Sequence, residues 1–546
     1  MINGLRAFKV NRWGFYLLAW FLIIAQTSCI TGQIGRPTEM STAKLPEPTV
    51  TPLATARVTV SPKQQRPNLI FILTDDLDLK LGTIEHMPML QSELVNKGIS
   101  FEHFLVTDAV CCPSRVTYLR GQYLHNHQVY TNTAPSGSFE KFYFLGSEAS
   151  TLATWLQAAG YQSGFFGKYL NGYPNRDQRT YIPPGWHEWY APIKGKPYVG
   201  LEYEMNENGK QIYYDSNPED YMTDVLSRKA VDFIQRSANS PDPIFIYIAT
   251  FAPHEPARPA ERHAETLSGV IAPRTPSFNE EDVSDKPGGI RFDPPLTEEQ
   301  IIKIDEDYRA RAETMLAVDE MIAAVLIALQ ESGRLENSYI VFTSDNGYHL
   351  GQHRMKSGKA TAYEEDIHVP FIVRGPGVPS GVVVSDYIAG NVDLAPTFAE
   401  LAGVIAPDFV DGRSLVPLLH GESLPESWRK AYLVEHYAMK EKDEGIEPEL
   451  VMVEYSDFPD ASGIPSPDQD ELVKAYAALV TAHYKYVEYA DGFRELYDLQ
   501  ADPYELENQA ALAASELVEE LAAWLHAMEA CSGNSCRQVE VGLPQQ

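Results

Sequence analysis

Two places in this chain set carboxylates where a metal or a reacting group needs them. Asp75 and Asp76 close an apolar run, NLIFILTDD, and Asp345 with Asn346 closes another, YIVFTSDNG. Three carboxylates and an amide oxygen are hard ligands, suited to Ca²⁺ or Mg²⁺ and poorly matched to the nitrogen and sulfur preference of Zn²⁺. Either pair alone also reads as an ordinary turn, because Asp, Asn and Gly dominate turns. Their joint occurrence at the ends of two similar runs favours a metal. Between them in sequence lies Val110-Cys111-Cys112-Pro113-Ser114-Arg115, an adjacent thiol pair followed by a guanidinium.

Residues so far apart in the chain need a scaffold that gathers them. Besides the two runs above, YQSGFFGK (Tyr161 to Lys168), PIFIYIATFAPHEP (Pro243 to Pro256) and VPFIVRGPG (Val369 to Gly377) are short and almost wholly apolar. Such runs predict strands buried on both faces. Leu152, Trp155, Leu156 and Ala159 mark one intervening helix. Met315, Val318, Ile322, Val325, Leu326 and Leu329 mark another, with a 3.6-residue period. The alternation predicts an α/β fold, a doubly wound sheet with helices on both faces. Ligands in such sheets bind beyond the carboxyl ends of the strands, where the polar residues stand here. The Pro- and acid-rich stretch Arg258 to Glu299 reads as a long surface insertion lining the cleft. Past about Ser427 the pattern changes. Short antiparallel strands are expected over Ala477–Thr481, Tyr484–Tyr489 and Arg494–Leu499, then a helix over Ala514–Ala530. The expected organisation is a catalytic domain over 67–426 and a smaller α+β domain over 427–546.

The formal net charge is −31 over 546 residues. That excludes nucleic acid as a partner, which calls for clustered Lys and Arg. It also repels an anionic substrate at long range, so basic residues gathered in a pocket carry information. Arg6, Lys9 and Arg12 precede an apolar run from Trp13 to Ala25, too short for a comfortable membrane span and suited to a signal peptide over 1–29. Gln26-Thr27-Ser28-Cys29 is similar to a bacterial lipoprotein signal, except at Gln26, where an aliphatic residue is usual. A lipid anchor at Cys29 in the cell envelope and plain secretion both stay open; either route exports the protein. Residues 30–66 read as a Pro/Thr/Ser-rich tether. Cys531 and Cys536 suit a short disulfide loop in an oxidising compartment, with a metal pair as the competing reading.

Cys-x-Pro-Ser-Arg, present at Cys111 to Arg115, resembles the signature of the formylglycine-dependent sulfatases. Cys111 has Pro two residues on and Arg four on; Cys112 has neither. The likeness runs through TDD (74–76), HNHQVYTN (125–132), FFGKYLNGY (165–173), PPGW (183–186), APHEP (252–256), SDNG (344–347), YEEDIHVPFIVRGPG (363–377), VDLAPT (392–397), DGRSL (411–415) and LYDLQADPYELEN (496–508). Within the family it looks most like the N-acetylglucosamine-6-sulfatase and heparan endosulfatase branch. It departs at Leu119-Arg120-Gly121-Gln122, where Leu-Thr-Gly-Lys/Arg is commoner.

The resemblance implies an alkaline-phosphatase-like fold and a hydrolase of sulfate esters acting on a sulfated sugar or polysaccharide. It implies that a maturation enzyme oxidises Cys111 to formylglycine, whose hydrated diol is the nucleophile. Asp75, Asp76, Asp345 and Asn346 would hold Ca²⁺ in preference to Mg²⁺, with the modified Cys111 touching it. Arg115 would hold the diol, Lys168 and Lys359 the sulfate, and His254 would stand near the leaving oxygen. Many family members carry a His two or three residues after the first sulfate-binding Lys; here Tyr169, Leu170 and Asn171 follow Lys168. His127, or next His125, is the substitute base, and structural roles for both are the alternative. His436 is a candidate sugar contact. An arylsulfatase, a phosphonate or phosphodiester hydrolase on the same scaffold, and a non-catalytic glycan-binding homologue are the competing functions.

Overall fold

Asn68–Thr74 is apolar at five of seven positions because both its faces are covered. Leu69, Phe71 and Leu73 point into one core and Ile70 and Ile72 into the other. It is β1 at the centre of a ten-stranded sheet in a computed structural model that describes residues 57–58, 66–174, 178–422, 424–425, 428–439 and 472–543. The expected export signal, Cys29 and nearly all of the expected tether lie outside the described residues.

The other strands of this sheet are β2 (Ile99–Phe101), β3 (Gln162–Gly167), β4 (Glu188–Gly195), β5 (Tyr203–Glu207), β6 (Lys210–Tyr214), β7 (Ile244–Ala249), β8 (Ser338–Ser344), β9 (Phe371–Arg374) and β10 (Val382–Val384). Their order is β10-β2-β9-β8-β1-β7-β3-β4-β5-β6. The middle five, β8-β1-β7-β3-β4, are parallel, as alternating strands and helices require. The sheet is mixed, because β9 and β5 pair antiparallel with their inner neighbours.

One face is covered by α1 (Cys111–Arg120), α2 (Leu152–Ala158) and α5 (Leu394–Leu401); the other by α3 (Met222–Ser237) and α4 (Glu298–Glu331). Helix α4 starts earlier than its apolar face announces. Thr297 and Gln300 form a reciprocal capping box that fixes its first turn. The stretch 258–299 is not merely superficial: Ala272, Ser277 and Lys286 are fully buried, with Lys286 paired to Asp285 and donating to the Leu506 carbonyl.

The C-terminal part is a four-stranded antiparallel sheet, β11 (Ala431–Met439), β12 (Leu472–Thr481), β13 (Tyr484–Tyr489) and β14 (Arg494–Asp498), packed with α6 (Ser515–Glu529). Three of these strands match the expectation; β11 was not anticipated. Cys531 and Cys536 are disulfide-bonded.

Candidate active site

The carboxyl ends of β1 and β8 lie side by side, with Thr74 opposite Ser344, so Asp75–Asp76 and Asp345–Asn346 emerge together. The chain turns sharply there. Asp76 adopts a left-handed backbone (φ 65°), a conformation Asp tolerates better than most residues, and such strain concentrates at functional sites. Gly347 follows Asn346, and a Cβ there would stand 2.1 Å from the Glu365 carbonyl oxygen, so only glycine fits.

Cys111 is the first residue of α1, where backbone N–H groups and the helix dipole favour negative charge. Its Sγ lies 2.9 Å from Lys359 Nζ, 3.5 Å from Asp75 Oδ1 and 3.9 Å from Asp76 Oδ1. Cys112 points into the apolar core instead, and burial pushes its thiol up to about 12. One turn along α1, Arg115 donates from Nε to Asp345 Oδ2 (2.8 Å) and from Nη1 to the Lys168 carbonyl (2.7 Å). Lys168 donates to Asp75 Oδ2 at 2.8 Å, and Lys359 to Asp76 Oδ1 at 2.6 Å. His254 brings Nε2 to 3.6 Å from Asp76 Oδ2, its Nδ1 meeting the Glu255 carbonyl at 2.7 Å.

These charges decide one another's state. Burial raises the Asp75 and Asp76 carboxyls, but the facing cations outweigh it and hold both below the usual range. Lys168, His254 and Arg115 act on Asp75, and Lys359 and His254 on Asp76. Asp345 goes the other way, to about 6: burial dominates, and Asp75 and Asp76 add repulsion that Arg115 only partly offsets.

A hard divalent cation fits this donor set. Asn346 gives its amide nitrogen to Asp76 Oδ1 (2.8 Å) and to the Gly347 carbonyl (2.9 Å), leaving its Oδ1 buried without a partner. A buried orphan acceptor beside three carboxylates is what an oxygen-seeking ion would satisfy.

Over residues 67–404 the chain matches the family model described as Sulfatase. The chain belongs to the sulfatase family. It is 35% identical over 485 residues to the N-acetylglucosamine-6-sulfatase of Homo sapiens, covering 87% of this chain and 86% of that protein. It is 37% identical over 391 residues to the extracellular sulfatase SULF-1 homolog of Drosophila melanogaster, covering 71% of this chain and 34% of that one, about a third of its length. A solved enzyme in complex with its substrate D-glucosamine-2-N,6-O-disulfate shares the fold, with a TM-score of 0.66 and 24% identity over 86% of this chain and 98% of that one. As a sulfatase, the protein is a hydrolase of sulfuric esters.

Not every residue singled out in this sulfatase reaches the cluster. His127 is buried with Nε2 3.2 Å from Thr117 Oγ1 and Nδ1 accepting from Val129 N–H at 3.1 Å. Burial lowers its pKa, and the charges acting on it are Arg120 and His125, not the acids around Cys111. His125 is spanned between Glu435 and the Cys531 carbonyl. Both are held as structural groups, so neither has the contacts of a base at Cys111.

Two positioning residues were not foreseen. Arg311, fully buried on α4, donates to the Asp76 carbonyl and to the Pro253 carbonyl (3.1 Å), tying together the turns that carry Asp76 and His254. A charged residue on the apolar stripe shared by Tyr308 and Met315 was the available signal. Lys485 of β13 pairs with Glu364 (2.8 Å) and Glu505 (2.6 Å) and donates to the Ala362 carbonyl (2.8 Å), fixing the segment just after Lys359.

Proposed function

We propose that this sulfatase removes 6-O-sulfate from glucosamine units of a sulfated polysaccharide, with formylglycine at position 111 as nucleophile and Ca²⁺ held by Asp75, Asp76, Asp345 and Asn346. The observation that carries this reading is the convergence of Lys359, Asp75 and Asp76 on the Cys111 side chain at a helix N-terminus. The named activity of the human relative supports the choice of sugar.

When bound, the cation would supply positive charge to the sulfate oxygens and lower the pKa of a diol hydroxyl. Lys168 and Lys359 hold the remaining sulfate charge in a buried pocket, where it is worth most. One hydroxyl gives its proton to a neighbouring carboxylate and its oxygen attacks sulfur. The bond from sulfur to the sugar oxygen breaks, and that oxygen takes a proton from His254 Nε2. The second hydroxyl then gives its proton to the His254 Nε2 left bare by the first step, the bond between the β-carbon of residue 111 and the sulfate oxygen breaks, and sulfate leaves with the aldehyde restored. A plain Ser or Cys would keep the sulfate, having no second hydroxyl to eject it.

Peptide mass spectrometry across Cys111, on protein from its native host, is expected to find the thiol replaced by an aldehyde. The same preparation should hydrolyse sulfated glucosamine faster than a phosphonate monoester. An unmodified Cys111, or a preference for the phosphonate, sinks the reading.

The metal has its own check. Ca²⁺ at a hundredfold its dissociation constant should stabilise the fold by about 2.7 kcal/mol, seen as a rise in unfolding temperature. Asn346→Leu, which removes the orphan oxygen, should shrink that rise. An equal rise in both proteins counts against the ligand set.

A further inference from the structure

We infer that His436, held by Asp108, is a specificity-determining residue that accepts a hydrogen bond from a hydroxyl on the sugar half of the substrate. The inference rests on the proposed sugar sulfatase activity and adds a residue pair to it. Strand β11 is stitched to the loop just before the nucleophile, Glu435 N–H donating to the Thr107 carbonyl at 2.9 Å. The β11–β12 register shifts between His436 and Tyr437, a bulge that re-aims side chains and recurs beside active sites. His436 Nδ1 meets Asp108 Oδ1 at 3.0 Å, and its ring stacks on Tyr476 with centroids 5.3 Å apart.

Asp108 stands three residues before Cys111 and is close enough to feel the Lys359 ammonium, which itself touches Cys111 Sγ. The pair therefore borders the reacting centre. Asp108 is fully buried and its Oδ2 has no hydrogen-bond partner, so the carboxylate is spent on the imidazole alone. A carboxylate at Nδ1 fixes the proton there and leaves a lone pair on Nε2. With its side chain 14% exposed, His436 keeps part of its ring open to a ligand. A hydroxyl donor fits it, and the hydroxyls of this substrate are on the leaving sugar. A site built to accept a hydrogen bond discriminates strongly against a ligand that lacks the donor.

The test uses the full-length matured enzyme on N-acetylglucosamine-6-sulfate and on 4-nitrophenyl sulfate, whose leaving group has no sugar hydroxyl. His436→Phe keeps a ring over Tyr476 and removes both nitrogens. It should lower the ratio of kcat/KM on sugar to kcat/KM on aryl sulfate at least tenfold, with KM on sugar rising. Asp108→Ala should lower the same ratio, and Asp108→Asn, whose amide oxygen still accepts from Nδ1–H, should restore much of it. An equal fall on both substrates, or an unchanged ratio, overturns the inference. Wild-type enzyme inactive on the sugar but active on the aryl ester fails the proposed sugar substrate instead, and is distinguishable for that reason.

Discussion

Cys111→Ala is expected to lower kcat by about 10⁴-fold or more while the protein still unfolds cooperatively near the wild-type midpoint. The magnitude follows from what is lost: without an oxygen nucleophile on position 111 no covalent route remains, and only binding and electrostatic stabilisation act on the ester. The fold should survive because one sulfur is removed from a polar cluster, not from the apolar core. Cys112→Ala inverts the pattern. Its sulfur is packed among apolar residues, so about 1 kcal/mol of stability should go while turnover persists. Cys111→Ser, made as a third variant, should trap one sulfate per molecule, visible in the intact mass. Comparable loss of turnover in the Cys112 variant would mean that the pair acts together and the assignment of the nucleophile is wrong.

Asp345→Ala should remove activity and also cost about 3–5 kcal/mol in denaturant unfolding, the second-largest effect expected. Its carboxylate accepts from Arg115 Nε at 2.8 Å, from Asp76 N–H at 3.0 Å and from Asn346 N–H at 2.9 Å. Without it the fully buried Arg115 keeps only Asp75 at 3.7 Å as a charged partner, and two buried N–H groups lose their acceptor. The loss of the charge is separable from the loss of the hydrogen bonds. Asp345→Asn leaves an oxygen for the N–H groups, so it should recover part of the stability with little activity. Full stability in the Ala variant would mean that Arg115 finds a partner the wild type does not use.

The strands that end in chemistry were the most legible part of the sequence. A buried parallel strand must be apolar on both faces, so NLIFILT and SYIVFTS announce themselves, and the acids after them stand out by contrast. The motif register at Cys111 separated two adjacent thiols that composition could not, and in the structure they face opposite environments. What was missed lacks such contrast. Strand β11, AYLVEHYAM, carries Glu and His in an apolar run because those side chains meet His125 and Asp108 from distant segments. His127 drew attention as a histidine close after the signature, yet its ring is consumed by its own helical turn and Thr117. Partners set by tertiary contact leave no local trace, and that is where Arg311 and Lys485 escaped as well.

The pairing of Lys485 with the segment after Lys359 spans 123 residues of chain, from Ala362 to the third strand of the C-terminal sheet. A chain emerging from the ribosome completes its N-terminal β1 and α1 long before β13 exists. Until then Glu364 lacks its buried ammonium, and the loop bearing Lys359 lacks its anchor. The nucleophile's surroundings are thus assembled last, by a strand, β13, that places no group against Cys111. A nascent or C-terminally clipped molecule would carry Cys111, Arg115, Lys168, Lys359 and the four expected metal ligands and remain inert.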